Sequence, residues 1–300
     1  MENSRGLIFA GIYLIVMLGL FFGCFFWAVK KRLGKHPLGL DIRLQRQAGE
    51  HLRKEWEEMI ESFFARMPLF LMAPWAAMFV ASKLLRHFSK AAPEAVLVGI
   101  LACAVAAFIV ALRWMLKLTD RILNLRLGWF GERVVADQLE TIKSKGYEVF
   151  HDVPCIGGSG PFNLDHVVVG QGIVVVVETK TRRKPKNVKD NHKVSYNGDK
   201  LCWPWGQSTQ ELEQVLRNSA WLKKELKTHL NLDVKVRPAL TIPGWFVTGG
   251  PPQAPVLVVG YKLLPQFILQ RFPRELTDAQ TELVARHLRK LSSDLDYGAL

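Results

Sequence analysis

The stretch Asn163-Leu-Asp-His-Val-Val-Val-Gly-Gln-Gly-Ile-Val-Val-Val-Val-Glu-Thr-Lys180 decides the fold. Two runs of β-branched residues flank Gly170-Gln171-Gly172, which is the pattern of a β-hairpin. Three charged side chains, Asp165, Glu178 and Lys180, interrupt runs that otherwise read as buried, and a lone buried charge is costly. With Gln171-Gly172 as a two-residue turn, Gly170 pairs with Ile173, Val169 with Val174, Val167 with Val176, and Asp165 with Glu178. Strand alternation puts Lys180 on the same face as Glu178, and directly opposed Cβ atoms stand roughly 5 Å apart. Two carboxylates that close repel unless a proton, a cation or a metal joins them, and a hard divalent ion with oxygen ligands suits the place. Register carries this reading. A three-residue Gly-Gln-Gly loop would set Asp165 against Val177 and split the cluster across the two faces, unless a bulge restored it. Gly172 tolerates positive φ, which favours the shorter turn.

An Asp on one strand and Glu-x-Lys on the next is what a metal-dependent phosphodiesterase needs. Asp165 and Glu178 would hold Mg²⁺ (or Mn²⁺) against a scissile phosphate, with the carbonyl of Thr179 as a further oxygen ligand. Lys180 would orient the attacking water, help deprotonate it, or neutralise developing charge. Directly after it comes a basic, aperiodic loop, Thr181 to Lys193. Its Arg182, Arg183, Lys184 and Lys186 would grip an anionic backbone, and Trp203 and Trp205 would stack on bases. Each reading has a plainer rival. The three charges make a structural ion-pair cluster, the loop is merely solvated, and the tryptophans are core or membrane-interface anchors. His166 points away from Asp165 and, like His151, reads as a structural histidine. Asp152 is a reserve ligand whose turn-side position favours a structural role.

The rest of the chain sets the context. It has 300 residues and a formal charge of +13, which suits a nucleic-acid or acidic-lipid partner, or a positive-inside bias. Four scattered cysteines without a CxxC pair argue against a zinc ribbon and for a reduced compartment. Leu7 to Val29 is an uncharged apolar run long enough to span a bilayer. Met67 to Ser82 and Ala95 to Leu112 read as a second and third span, forming a helical hairpin. The segments around them are richer in Lys and Arg than the short loop between runs two and three. That bias places the carboxy-terminal domain in the cytoplasm, beneath an inner membrane crossed three times. The expected domains are therefore 1–29, a first transmembrane helix; 30–66, a basic linker with an amphipathic helix; 67–112, the hairpin; and 113–300, a soluble domain with its core at about 125–260. Within it we expect a helix over Leu125–Lys145 opened by Gly128 to Glu132, a strand over Tyr147–Val153, and the charged hairpin. A helix then runs to about Leu230, followed by strands over Val236–Ile242 and Pro255–Val259. The last element is a helix over Thr277–Leu291, N-capped by Thr277. This is a mixed α/β domain.

Several of these residues, taken in order, resemble a known family. Gly131-Glu132 opening a helix, Asp165-His166-Val167-Val168, Gly172-Ile173, Glu178-Thr179-Lys180 and Pro204 to Gln207 look like the nuclease-related (NERD) domain, over about Leu125 to Val259. That family is similar to the PD-(D/E)xK superfamily. The resemblance implies a restriction-endonuclease-like mixed central sheet flanked by helices, here preceded by an α-helical transmembrane region. It also implies an active site of Glu132, Asp165, Glu178, Lys180 and Gln207. The chain departs at Trp203, where the family usually has Asn, and at Leu164, where the superfamily has proline. A membrane-anchored Mg²⁺-dependent nuclease acting on DNA ahead of RNA is the leading expectation. A catalytically weak or inactive nucleic-acid-binding module, or a membrane scaffold, is the alternative.

Overall fold

The computed structural model describes residues 23, 27, 43–88, 93–158, 160–185, 190–293 and 295–296. The expected first span and residues 30–42 of the linker lie outside the described residues, Gly23 and Trp27 apart, as does Lys186.

Two long helices come first, α1 (Glu50–Phe88) and α2 (Pro93–Leu139). The amphipathic helix and the second apolar run, expected as separate elements, are one continuous helix, α1. It carries Pro68 and Pro74 in its interior. Likewise the third apolar run and the helix expected to begin near Leu125 are both parts of α2. Glu132 therefore does not open a helix but sits near the end of one. No glycine or proline breaker of the right kind lies between the paired segments, so helical hydrogen bonding simply continues. Both helices are long and apolar enough to cross a membrane. Their apolar side chains face outward: Leu69, Leu71 and Val110 are each 68% exposed. Phe70 packs on Trp114 at 4.6 Å and Arg66 lies over the same ring, so the two helices touch through their apolar segments.

The chain divides into two compact units, one holding Ile60–Thr119 and the other Leu44–Met59 with Asp120–Leu295. The second unit is mixed α/β, the class the sequence implied. Its strands are β1 (Tyr147–Gly157), β2 (Gly160–Gly170), β3 (Ile173–Thr179), β4 (Lys193–Tyr196), β5 (Leu201–Trp203), β6 (Gly206–Ser208), β7 (Val236–Thr241), β8 (Phe246–Gly249) and β9 (Leu257–Val259). The helices between and after them are α3 (Gln210–Leu230), α4 (Leu264–Arg271) and α5 (Asp278–Leu291). The main sheet runs β9-β7-β3-β2-β1 and a smaller one runs β6-β5-β4-β8. β1, β2 and β3 are antiparallel neighbours, while β3, β7 and β9 are parallel. The parallel step from β3 to β7 needs a crossover, and α3 supplies it.

β3 is buried along its whole length, which is why its sequence is nearly continuous valine rather than alternating. On one face Val167, Val169, Val174 and Val176 pack under Leu212, Val215 and Leu222 of α3 and Val284 and Leu288 of α5. On the other, Val168, Val175 and Val177 meet Val135 and Leu139 of α2 and Leu264 and Ile268 of α4. Thr277 caps α5 in a full capping box with Gln280.

Candidate active site

The β2–β3 hairpin sets the register. Gly170 pairs with Ile173, Val169 with Val174 and Val167 with Val176. Gln171 and Gly172 form the turn at φ +48° and +76°, the left-handed pair of a type I′ hairpin. Three observations tie down the next positions outward. The backbone N–H of Thr179 donates to Asp165 Oδ2 at 2.7 Å, Lys180 Nζ to Glu178 Oε1 at 2.7 Å, and Asn218 Nδ2, from α3, to Glu178 Oε2 at 2.8 Å. Asp165 and Glu178 are 8% and 1% exposed. Beside them stands Glu132, 4% exposed, whose Oε2 is buried without a hydrogen-bond partner among the described residues. All four line one cleft of about 830 Å³.

Glu132 reaches this place because Gly131 lets α2 lie against the end of β3. A Cβ at Gly131 would fall well inside van der Waals contact of Thr181 Cγ2. Burial, then repulsion from Asp165, Asp152 and Glu178, pushes the Glu132 carboxyl well above the usual range. Burial and the charge of Glu178 do the same to Asp165, against the pull of Lys180 and the Thr179 N–H. For Lys180, burial lowers the ammonium pKa, but Glu178 and Asp165 outweigh it and leave the pKa raised. Three carboxyl groups thus crowd around one ammonium.

Asp152 falls in the ladder between His151↔His166 and Val153↔Leu164, at the level of Asp165. Its φ of +47° breaks the pairing there. Fully buried, it is neutralised from the amino-terminal side. Arg46 Nε lies 3.0 Å from Oδ2, and His51 N donates to the same oxygen at 3.0 Å. The His51 ring also contacts Oδ1, and Asn163 donates to it at 2.8 Å. Asp152 thus has structural partners, but it stands in the middle of β1 and not at the turn where the sequence reading put it. His166 is buried on the opposite face, between His151 and Thr179 Oγ1 at 2.9 and 3.3 Å, and burial holds it neutral.

Gln207 is not brought to the cleft. Trp203 pairs with Gly206 and Cys202 with Gln207, so Pro204-Trp205 is a hairpin turn and Gln207 stands exposed on the edge strand β6. Gln214, Arg217 and Asn218 of α3 line the cleft instead. Asn218 is the residue sequence reasoning passed over, although a signal was there. It stands three residues after Val215 and four before Leu222, a polar side chain on the apolar stripe of α3.

Of the basic loop, Arg182 lines the cleft but bonds Glu211 Oε1 at 2.9 Å. Arg183 lies 3.6 Å from Asp120, and Lys184 is exposed. Trp203 is buried, stacked on the half-exposed Trp205 at 5.1 Å and edge-on to Trp245 at 5.0 Å. Trp203 is therefore core, and only Trp205 offers a face.

The domain is mixed α/β, with Asp165 in the middle of β2 and Glu178 and Lys180 at the end of β3 gathered on one cleft. Residues 127–243 match the family model described as the nuclease-related domain, NERD. That segment runs from the last turns of α2 to just past β7, and it is the part of the chain that is similar to this family. No curated protein matches the chain.

Proposed function

We propose that this chain is a membrane-anchored nuclease that hydrolyses phosphodiester bonds with the help of a divalent cation. The observation that carries the reading is the convergence of Glu132, Asp165, Glu178 and Lys180 in one open cleft. A purely structural ion-pair cluster would balance its charges. This one sets three carboxyl groups beside one ammonium and, among the described residues, leaves Glu132 Oε2 without a hydrogen-bond partner.

Those features suit Mg²⁺ or Mn²⁺, held by Asp165 and Glu178 with the carbonyl of Thr179. The ion would supply Lewis-acid polarisation of the phosphate and an acidified water. The chain's own residues do the rest. The Thr179 N–H fixes one oxygen of Asp165, and Asn218 and Lys180 fix the two oxygens of Glu178, so the ligand geometry is set before substrate arrives. Lys180, kept as an ammonium by Glu178 and Asp165, stabilises negative charge developing on the phosphate rather than taking a proton. Glu132, whose carboxyl holds its proton more tightly than usual, is placed to exchange a proton with the attacking water. Arg182, Arg183 and Lys184, joined by Arg217 from α3, would meet the phosphate backbone. Helices α1 and α2 would tether the domain, with its cleft in the cytoplasm as the Lys and Arg bias suggests.

The test is cleavage of supercoiled DNA and of structured RNA by the full chain in detergent, with Mg²⁺, with Mn²⁺ and with chelator. Metal-dependent cleavage abolished by Asp165→Asn and Glu178→Gln is the expected result. Cleavage that persists in both variants would sink the site. Salt-sensitive binding without cleavage would leave a nucleic-acid-binding module.

A further inference from the structure

Away from the cleft, three ligand-bearing side chains meet where α3 and α5 cover the same face of the main sheet. Glu225 and His229 stand four residues apart on α3, hence on one face of that helix, and His287 comes from α5. Glu225 Oε1 lies 3.1 Å from His229 Nδ1 and 3.1 Å from His287 Nε2. The two imidazoles stack at 5.5 Å and 28°, and all three ligand atoms lie within 4.8 Å of one another. Around a tetrahedral ion with bonds of about 2.0 Å, neighbouring ligand atoms are roughly 3.3 Å apart. The cluster is therefore preformed at near-ligating spacing. Glu225 and His287 are largely buried, at 16% and 14% exposed, while His229 is half exposed and gives access from solvent.

We infer that Glu225, His229 and His287 form a transition-metal site, with Zn²⁺ the fitting ion, which clips α3 to α5. Two imidazoles and one carboxylate select a borderline ion over the hard Mg²⁺, which prefers oxygen alone. Three protein ligands leave a fourth position for water. The two metal chemistries in the unit are then separate. An oxygen-ligand cluster sits at the end of β3, beside the middle of β2. A nitrogen-rich one stands seven residues along α3 from Asn218, or about 10 Å. Because the imidazoles must be neutral to bind, uptake of the ion releases any protons they carry.

The full chain, purified in detergent without a polyhistidine tag, is titrated with Zn²⁺ by calorimetry in excess Mg²⁺, which occupies the carboxylate cleft. One equivalent of Zn²⁺ per chain is expected, and Co²⁺ in its place should give the visible absorption of a tetrahedral complex. His287→Ala and the exposed His229→Ala should each weaken binding at least about a hundredfold, beyond the 10–100-fold that losing an outer-shell partner costs. Glu225→Gln, which keeps the shape, should do the same. Wild-type protein that takes up no Zn²⁺, or unchanged affinity in His229→Ala and His287→Ala, overturns the site. None of these readings depends on nucleic-acid cleavage, so failure here and failure of the nuclease reading are distinguishable.

Discussion

Asp165 is where the electrostatics can be read most directly. Its folded-state pKa lies above the unfolded value of about 3.9. A carboxyl shifted that way contributes stability fully below its unfolded pKa, and the contribution is lost as pH rises through the folded value. Glu132 is shifted in the same direction. With chelator present, the thermal midpoint should therefore fall as pH is raised above about 4, to the extent these two groups set it. Mg²⁺ should raise the midpoint more at the higher pH, because a cation binds the deprotonated form. Scanning fluorimetry across pH with and without Mg²⁺ checks both; a Mg²⁺ shift that shrinks with rising pH would contradict the cation reading. Asp165→Asn removes one of the crowded charges but keeps an oxygen for the Thr179 N–H. It should stabilise the chelated protein by about 1–2 kcal/mol, a rise of a few degrees, while lowering cleavage by ~10²–10⁴-fold. Lys180→Ala should cost cleavage ~10²–10³-fold and leave Glu178 buried without its ammonium.

At the scale of elements, the central hairpin was legible because a two-residue turn and strand alternation leave almost no freedom. Once Gln171-Gly172 is the turn, the valine ladder follows as far as His166 opposite Val177, and one step beyond it Asp165 accepts from the Thr179 N–H. Gly172 is doubly constrained, by its φ of +76° and by Leu276 O, 2.6 Å from where a Cβ would stand. Gly131→Ala offers a cleaner test, because nothing about its φ forbids a side chain. The added methyl meets the Thr181 methyl, so Thr181 must turn about χ1 or α2 shift from the end of β3, at about 1–3 kcal/mol. A shift of α2 would carry Glu132 away with it, and chemical denaturation together with cleavage assays should show both losses. What was not legible depended on context that spacing does not carry. Gly131-Glu132 suits a helix start, yet α2 runs through it, because helical bonding continues from a membrane-compatible segment that also had to be read as helix. Gln207 was placed by resemblance, but Pro204-Trp205 turns the chain into a hairpin on the small sheet. Asn218, about two turns into the crossover helix α3, whose course no local pattern foretells, takes up the contact with Glu178 instead. Asn218→Ala should cost about 1–3 kcal/mol by leaving a buried carboxylate oxygen unpaired, whereas Gln207→Ala should change stability by no more than about 0.5 kcal/mol.

For the molecule as a whole, two kinds of surface respond oppositely to salt. The apolar segments of α1 and α2 expose Trp75, Phe79, Leu101 and Phe108 among others, and exposed apolar surface of this kind marks a protein or membrane interaction site. Buried in lipid, as proposed, that surface would be held hydrophobically, and added salt would not release it. The proposed nucleic-acid surface is Coulombic. With Arg182, Arg183 and Lys184 each displacing a counterion, log K against log salt should fall with a slope of about −2.7 on duplex DNA, or about forty-fold between 50 and 200 mM. Arg182 and Arg183 already hold Glu211 and Asp120, so any pair that persists in the complex makes the slope shallower. Disrupting the Arg182 pair with Glu211→Gln should therefore steepen it toward that limit. Sedimentation of membranes in high salt and alkaline carbonate, beside binding isotherms over a salt series, separates the two. The chain should stay in the pellet under conditions that strip nucleic acid from it. If high salt released the chain from membranes while nucleic-acid binding held firm, the roles assigned to the helices and to the basic loop would both have to be given up.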